Sequence, residues 1–160
     1  MRFALVLGVI GKILRIYSVA FIPPLLLATF NAYNGIESDY SAAIGFAVAA
    51  AATLVCGFLL NLTNEKDQNF RRSEALGVVA GSWVVIAVFT AIPYVMLGMS
   101  NLDAFFESMS GLTTTGATVL TDFNQTQSFF LWRAMSQWFG GLGVIALFVV
   151  ILPQLGVAGR

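Results

Sequence analysis

Apolar residues in this chain come in long runs rather than in the narrow stripes of a water-soluble helix, and the polar residues gather between those runs. Four runs approach the roughly 20 apolar residues that carry a helix across a bilayer. They extend from about Ile13 to Ala32, Ala42 to Leu62, Ala75 to Gly98 and Phe129 to Leu152. Between the last two lies a stretch of different character, Asp103 to Val119, too short and too polar to cross. Leu102, Phe105, Phe106, Met109 and Leu112 recur there at three- and four-residue spacing, which predicts a short amphipathic helix with one apolar face. Ser100 or Asn101 can cap its start, and Asp103 and Glu107 lie toward its positive end. Thr113, Thr114, Thr115, Gly116 and Thr118 follow. Threonine continues a helix poorly, and glycine accepts conformations that other residues resist. The pattern predicts a helix that enters the membrane part way and returns as an extended strand.

Irregular backbone at membrane depth is tolerated only where it is buried in protein or lines a watery cavity, and a pore is such a cavity. Extended residues flanking Gly116 can turn successive carbonyl oxygens inward, where a ring of them replaces the water shell of a monovalent cation. The carboxyl end of the short helix would favour a cation over an anion. A threonine run before a glycine also reads as an ordinary turn whose hydroxyls satisfy nearby backbone. The flanking spans favour the pore loop.

Composition agrees with a membrane protein. Hydrophobic residues make up 58% and charged residues only 10%, against roughly a quarter charged in a soluble domain. Mean hydropathy is +0.85. Eight basic residues balance eight acidic ones, which argues against a nucleic-acid partner. The single cysteine, Cys56, lies inside an apolar run and reads as a packing residue. Arg2, Lys12 and Arg15 precede the first span, Lys66, Arg71 and Arg72 lie between the second and third, and Arg160 follows the fourth, so seven of the eight basic residues fall on one side. By the positive-inside rule that side is the cytoplasm, with both ends of this chain there and the threonine loop entering from outside. Arg133 is the exception, free to snorkel or to pair with Asp122 or Glu107.

Along the spans, Pro23-Pro24 removes two backbone donors and predicts a kink in the first helix. Asn34-Gly35 marks an external bend flanked by Tyr33 and Tyr40 as interfacial anchors. Ala43, Ala47 and Ala51 form a small-residue stripe in the second span, and Gly77 and Gly81 stand at GxxxG spacing in the third, both suited to close helix contact. Three domains follow: a two-helix preface over 1–64, a cytoplasmic linker over 65–74, and a helix, pore loop and helix repeat over 75–160. Enzyme function is not expected. Ser110-Gly111 has no histidine anywhere in the chain to serve as base, and Lys12 and Lys66 lie on the cytoplasmic side. A non-conducting helix scaffold is the other class that small-residue packing alone would support.

The segments Ser108 to Thr118, Trp132-Arg133, Gln137 to Gly143 and Ile151 to Val157 together resemble the first repeat of the Trk/Ktr/HKT superfamily of potassium transporters, most like the N-terminal part of the bacterial TrkH/TrkG membrane subunits. The resemblance spans nearly the whole chain. It implies an all-α integral membrane fold, with two peripheral transmembrane helices followed by one helix, re-entrant pore loop and helix repeat of an expected four. It implies potassium uptake across the bacterial inner membrane, with K+ as the transported ion and no cofactor in this chain. Thr114 and Thr115 match the filter positions that line the ion path, with Thr113 and Gly116 adjoining them. The expected partners are a second copy of the full-length subunit, a cytosolic ring of nucleotide-binding regulatory subunits, and lipid. One repeat supplies only a quarter of a filter, so the chain is either an N-terminal piece of a longer polypeptide or a subunit that assembles fourfold. A single glycine, without a second two residues on, predicts fewer ordered backbone ion sites than the TVGYG arrangement.

Overall fold

The computed structural model describes residues 2–36, 38–62 and 72–154, and within those bounds every regular element is helical. The order is α1 (Phe3–Tyr17), a short 3-10 turn (Ser18–Phe21), α2 (Ile22–Tyr33), α3 (Ser38–Asn61), α4 (Arg72–Met96), α5 (Asn101–Leu112) and α6 (Gln127–Gln154). Lys66, Arg71 and Arg160, which helped to set the expected orientation, lie outside the described residues, as do most of the expected linker and the last residues of the Ile151 to Val157 motif.

Three stretches are long and apolar enough to cross a membrane among the described residues: Phe3–Tyr33, Asp39–Asn61 and Ser73–Met96. Helix α6 has the length of a fourth, at 28 residues. The expected prolyl kink takes the form of the 3-10 turn. Neither Pro23 nor Pro24 can donate to the helix, and each ring would crowd a carbonyl four residues back, so the α-helical ladder gives way just before them and α2 restarts with proline in its first turn. The first span differs from expectation at its start. It begins at Phe3 rather than Ile13, so Lys12 and Arg15 lie within α1 and not ahead of it. Val6, Ile10 and Leu14 recur on the face that packs against α3 and α4, and they hold the added turns helical. Lys12 stays exposed. Arg15 lays its guanidinium 5.2 Å from the centre of the Phe58 ring, which lets a cation sit on an apolar helix.

Close helix approach also occurs elsewhere than predicted. Ala47 and Ala51 are exposed, whereas Ala42, Phe46, Ala49 and Thr53 form the buried face of α3. The tight crossing of α1 and α3 is made by Gly11 and Gly57: a Cβ on Gly11 would lie 2.8 Å from backbone atoms of Asn61 and Gly57. In the GxxxG pair a Cβ on Gly81 would meet the Ile10 side chain.

The preface and the later helices share one core. Trp132 of α6 is fully buried among Phe21 and Phe46, with ring centroids 4.5 and 5.8 Å away, and its indole Nε1 donates to the Thr90 carbonyl at 3.1 Å. The Tyr17 hydroxyl meets the Thr90 hydroxyl at 2.8 Å. Thr90 thus receives polar groups from two helices, which satisfies the Trp132 indole and the Tyr17 hydroxyl. At the far end of α4, fully buried Glu74 accepts from the Arg2 backbone N–H, Nε and a terminal guanidinium nitrogen at 2.9–3.0 Å. Large apolar side chains on the outside, such as Val55, Phe58 and Leu59 of α3, are more than half exposed. Such a surface suits lipid or further protein rather than water.

Candidate functional site

Helix α5 starts where the sequence places it. Ser100 caps it by accepting from the Asp103 N–H at 3.2 Å, while its own hydroxyl donates to the Asp103 carboxylate at 2.7 Å. The packed face of α5 takes in only part of the apolar stripe, with Leu112 buried and Phe105 and Met109 half-buried. Leu102 is 78% and Phe106 44% exposed, while Ala104, Glu107, Ser108 and Gly111 are buried against α4 and α6. Small side chains permit the close approach: a Cβ on Gly111 would strike the Ser136 hydroxyl, and one on Gly140 of α6 would lie 2.3 Å from the Leu112 carbonyl oxygen. Leu102 and Phe106 are left turned outward.

Beyond Leu112 the chain leaves the helix and stays non-helical as far as Thr126, without forming the expected strand. The N–H of Thr114 donates to the Gly111 carbonyl at 2.9 Å, and those of Thr115 and Gly116 to the Ser110 carbonyl at 3.0 and 3.4 Å. In a planar trans peptide the carbonyl of one residue points opposite to the N–H of the next. The carbonyls of Thr113, Thr114 and Thr115 therefore point away from the end of α5, toward the face on which residues 113–119 are exposed. Backbone torsions alternate to achieve this. Thr113 has φ −84°, Thr114 +57° and Gly116 +74°, with Thr115 between the last two on the negative side. Glycine holds its angle freely, whereas a β-branched Thr114 in the left-handed region costs on the order of 1–3 kcal/mol. The hydroxyls brace the turn. Thr113 Oγ1 donates to the Met109 carbonyl at 2.7 Å and lies 2.8 Å from Thr115 Oγ1, and Thr114 Oγ1 donates to the Thr113 carbonyl at 2.7 Å.

Behind the loop stands a buried ionic brace that sequence reasoning named only as one possibility. Arg133 Nε donates to Glu107 Oε2 at 3.1 Å, and a terminal nitrogen of the same guanidinium donates to the Gly116 carbonyl at 3.3 Å. The other carboxylate oxygen of Glu107 accepts from the Thr118 hydroxyl and from the Val119 N–H, the latter at 2.8 Å. Ser110 Oγ donates to the Ala117 carbonyl at 2.5 Å. Glu107 is thus not a surface charge serving the helix dipole but a buried junction that ties α5, the returning chain and α6 together. The signal available in the sequence was the pair itself, one acid in the short helix and one base in an otherwise apolar span. Thr113, Thr114, Thr115 and Gly116 stand together on one exposed turn, held from behind by side chains and open in front.

The profile of the TrkH family, described as cation transport proteins, matches residues 42–160. This chain belongs to the TrkH family. The Trk system potassium uptake protein TrkH of Halomonas elongata is 34% identical over 163 residues, covering 99% of this chain and 33% of the relative. TrkH of Escherichia coli K12 is 37% identical over 164 residues, covering 99% of this chain and 32% of the relative. The crystal structure of the potassium transporter TrkH from Vibrio parahaemolyticus superposes on the whole chain with a TM-score of 0.82 at 33% identity, using 34% of that chain. The chain spans about a third of the length of the relatives it matches.

Proposed function

We propose that this chain is the N-terminal preface and first pore-loop repeat of a potassium-uptake membrane subunit. In that reading Thr113, Thr114, Thr115 and Gly116 supply one quarter of the ion filter. The observation that carries it is the set of three consecutive N–H groups tied back to Ser110 and Gly111, which turns three consecutive carbonyl oxygens toward the exposed side, that of Thr113 also accepting from the Thr114 hydroxyl. Stacked carbonyls of this kind substitute for the hydration shell of a monovalent cation and need no bound cofactor. One turn cannot surround an ion, so the remaining three quarters come from other repeats. The relatives, three times longer and named as potassium uptake proteins, support their being in the same polypeptide.

Around that centre, residues 1–64 form the preface, 65–74 the linker and 75–160 the repeat, with the loop entering from the outer face of the bacterial inner membrane and the ends of this chain on the cytoplasmic side. Arg2 beside Glu74, at the start of α1 and α4, supports that orientation. The full-length subunit pairs with a second copy and takes a cytosolic nucleotide-binding regulator. The test is ion discrimination in the complete protein. Gly116→Ser places a Cβ on a residue at φ +74°, tilting the neighbouring carbonyls. The potassium-to-sodium uptake ratio falls as a result. An unchanged ratio at unchanged uptake would remove Gly116 from the filter.

A further inference from the structure

At the end of the bundle where α2 gives way to α3, a cavity of about 710 Å³ opens between the preface and the chain that leads into α6. Its walls include Asn31, Asp39, Ser41, Asn124, Gln125 and Thr126, and among the described residues no basic side chain lines it. Two of these groups are buried in a way that packing alone leaves unexplained. Asn31 is 7% exposed, and its side-chain amide nitrogen has no hydrogen-bond partner among the described residues. Asp39 is 1% exposed; it accepts from Ser128 Oγ at 2.8 Å and forms no ion pair among the described residues. A carboxylate so withdrawn from water is costly unless a cation or several donors offset it, and a bare buried amide is costly for the same reason.

We infer that this cavity, bounded by Asn31 and Asp39, is a second binding site for a hydrated alkali cation, separate from the threonine turn. Charge decides the class of ligand. One carboxylate and no base attract a cation and repel an anion, and a single negative charge balances a monovalent ion better than a divalent one. Size decides its state. The space far exceeds a bare alkali ion, so the ion keeps part of its water, with those waters accepting from the Asn31 amide and meeting Ser41, Asn124, Gln125 and Thr126. The site lies between the two-helix preface and the repeat, which gives the preface a part in holding ions and not only in packing.

Equilibrium binding of radiolabelled rubidium to the purified complete protein, with choline chloride holding ionic strength constant, tests the site. Asn31→Leu removes the bare amide and fills the cavity wall while leaving the Asp39 to Ser128 bond intact. Asp39→Asn removes the charge. Both variants are expected to lose one rubidium equivalent per chain that Gly141→Ala, whose added carbon meets nothing within 4 Å, retains. Wild-type stoichiometry in Asn31→Leu overturns the inference, and that variant decides the matter where Asp39→Asn does not fold. A loss of one equivalent in Asn31→Leu, with the potassium-to-sodium uptake ratio unchanged in Gly116→Ser, leaves the cavity site standing while the filter reading fails.

Discussion

Gly140 is the position where one added carbon has a calculable effect on the threonine loop. A Cβ there would stand 2.3 Å from the Leu112 carbonyl oxygen, 2.8 Å from its carbonyl carbon and 3.1 Å from the Gly111 oxygen. All three are backbone atoms at the carboxyl end of α5, so no side chain can swing aside. Restoring the closest approach to the 3.4 Å of ordinary contact requires α5 and α6 to part by about 1.1 Å. Overpacking of this kind costs about 1–3 kcal/mol. The shift falls at the root of the turn, because the Ser110 and Gly111 carbonyls that anchor Thr114, Thr115 and Gly116 belong to the displaced segment. Gly141 is the matched control: a Cβ there meets nothing within 4 Å. Alanine at 141 gains helix propensity worth up to about 1 kcal/mol. In the complete transporter, Gly140→Ala is therefore expected to lower the thermal unfolding midpoint and to degrade potassium-over-sodium uptake. Gly141→Ala should leave both near wild type or raise the midpoint. Equal effects of the two substitutions would refute the claim that the α5–α6 contact sets the loop.

The brace behind the loop yields an ordering of variants. Arg133→Gln leaves the fully buried Glu107 carboxylate without its cation, a loss of about 3–5 kcal/mol for a broken buried pair, while Glu107→Gln keeps an acceptor for Thr118 and Val119. Denaturation of the purified protein should rank Arg133→Gln as the more destabilised, with the double variant recovering part of the loss, and a double variant worse than Arg133→Gln would contradict the pairing. Trp132→Phe deletes the bond to the Thr90 carbonyl and should cost about 0.5–1.5 kcal/mol plus the lost ring volume. An unfolding midpoint equal to wild type would mean that the indole N–H is not needed there. Gly11→Ala, facing backbone atoms at 2.8 Å, should separate α1 from α3, read as faster proteolysis of the preface in mixed micelles. Undiminished protection would show that the crossing can yield.

The long apolar runs and the polar interval between them revealed the helices, because a span must be apolar along its whole length and that demand is written residue by residue. Ser100 and Asp103 gave the start of α5 for a similar reason, since a cap is a local bond. The packed faces were much less legible. In a bilayer both the lipid side and the protein side of a helix are apolar, so hydrophobicity does not distinguish Ala47 and Ala51 from the face that does pack, Ala42, Phe46 and Ala49. The same ambiguity blurred α5: Leu102 and Phe106 face away, while Leu112 is buried together with the small and polar Ala104, Glu107, Ser108 and Gly111. Close crossings at Gly11 with Gly57 and at Gly140 depend on pairs distant in sequence, which one helix read alone cannot reveal. The threonines and Gly116 were identifiable as a turn. Their anchoring to Ser110 and Gly111, and the Glu107 to Arg133 brace, emerge only once α5 and α6 are side by side.

The central claim is that the carbonyl oxygens of Thr113, Thr114 and Thr115 touch the ion. Anomalous scattering from crystals of the complete protein grown in rubidium measures this directly. Rubidium peaks are expected within coordination distance of those oxygens, ordered along the line they form. Lipid or protein density packed against the turn, with every rubidium peak elsewhere, would contradict it.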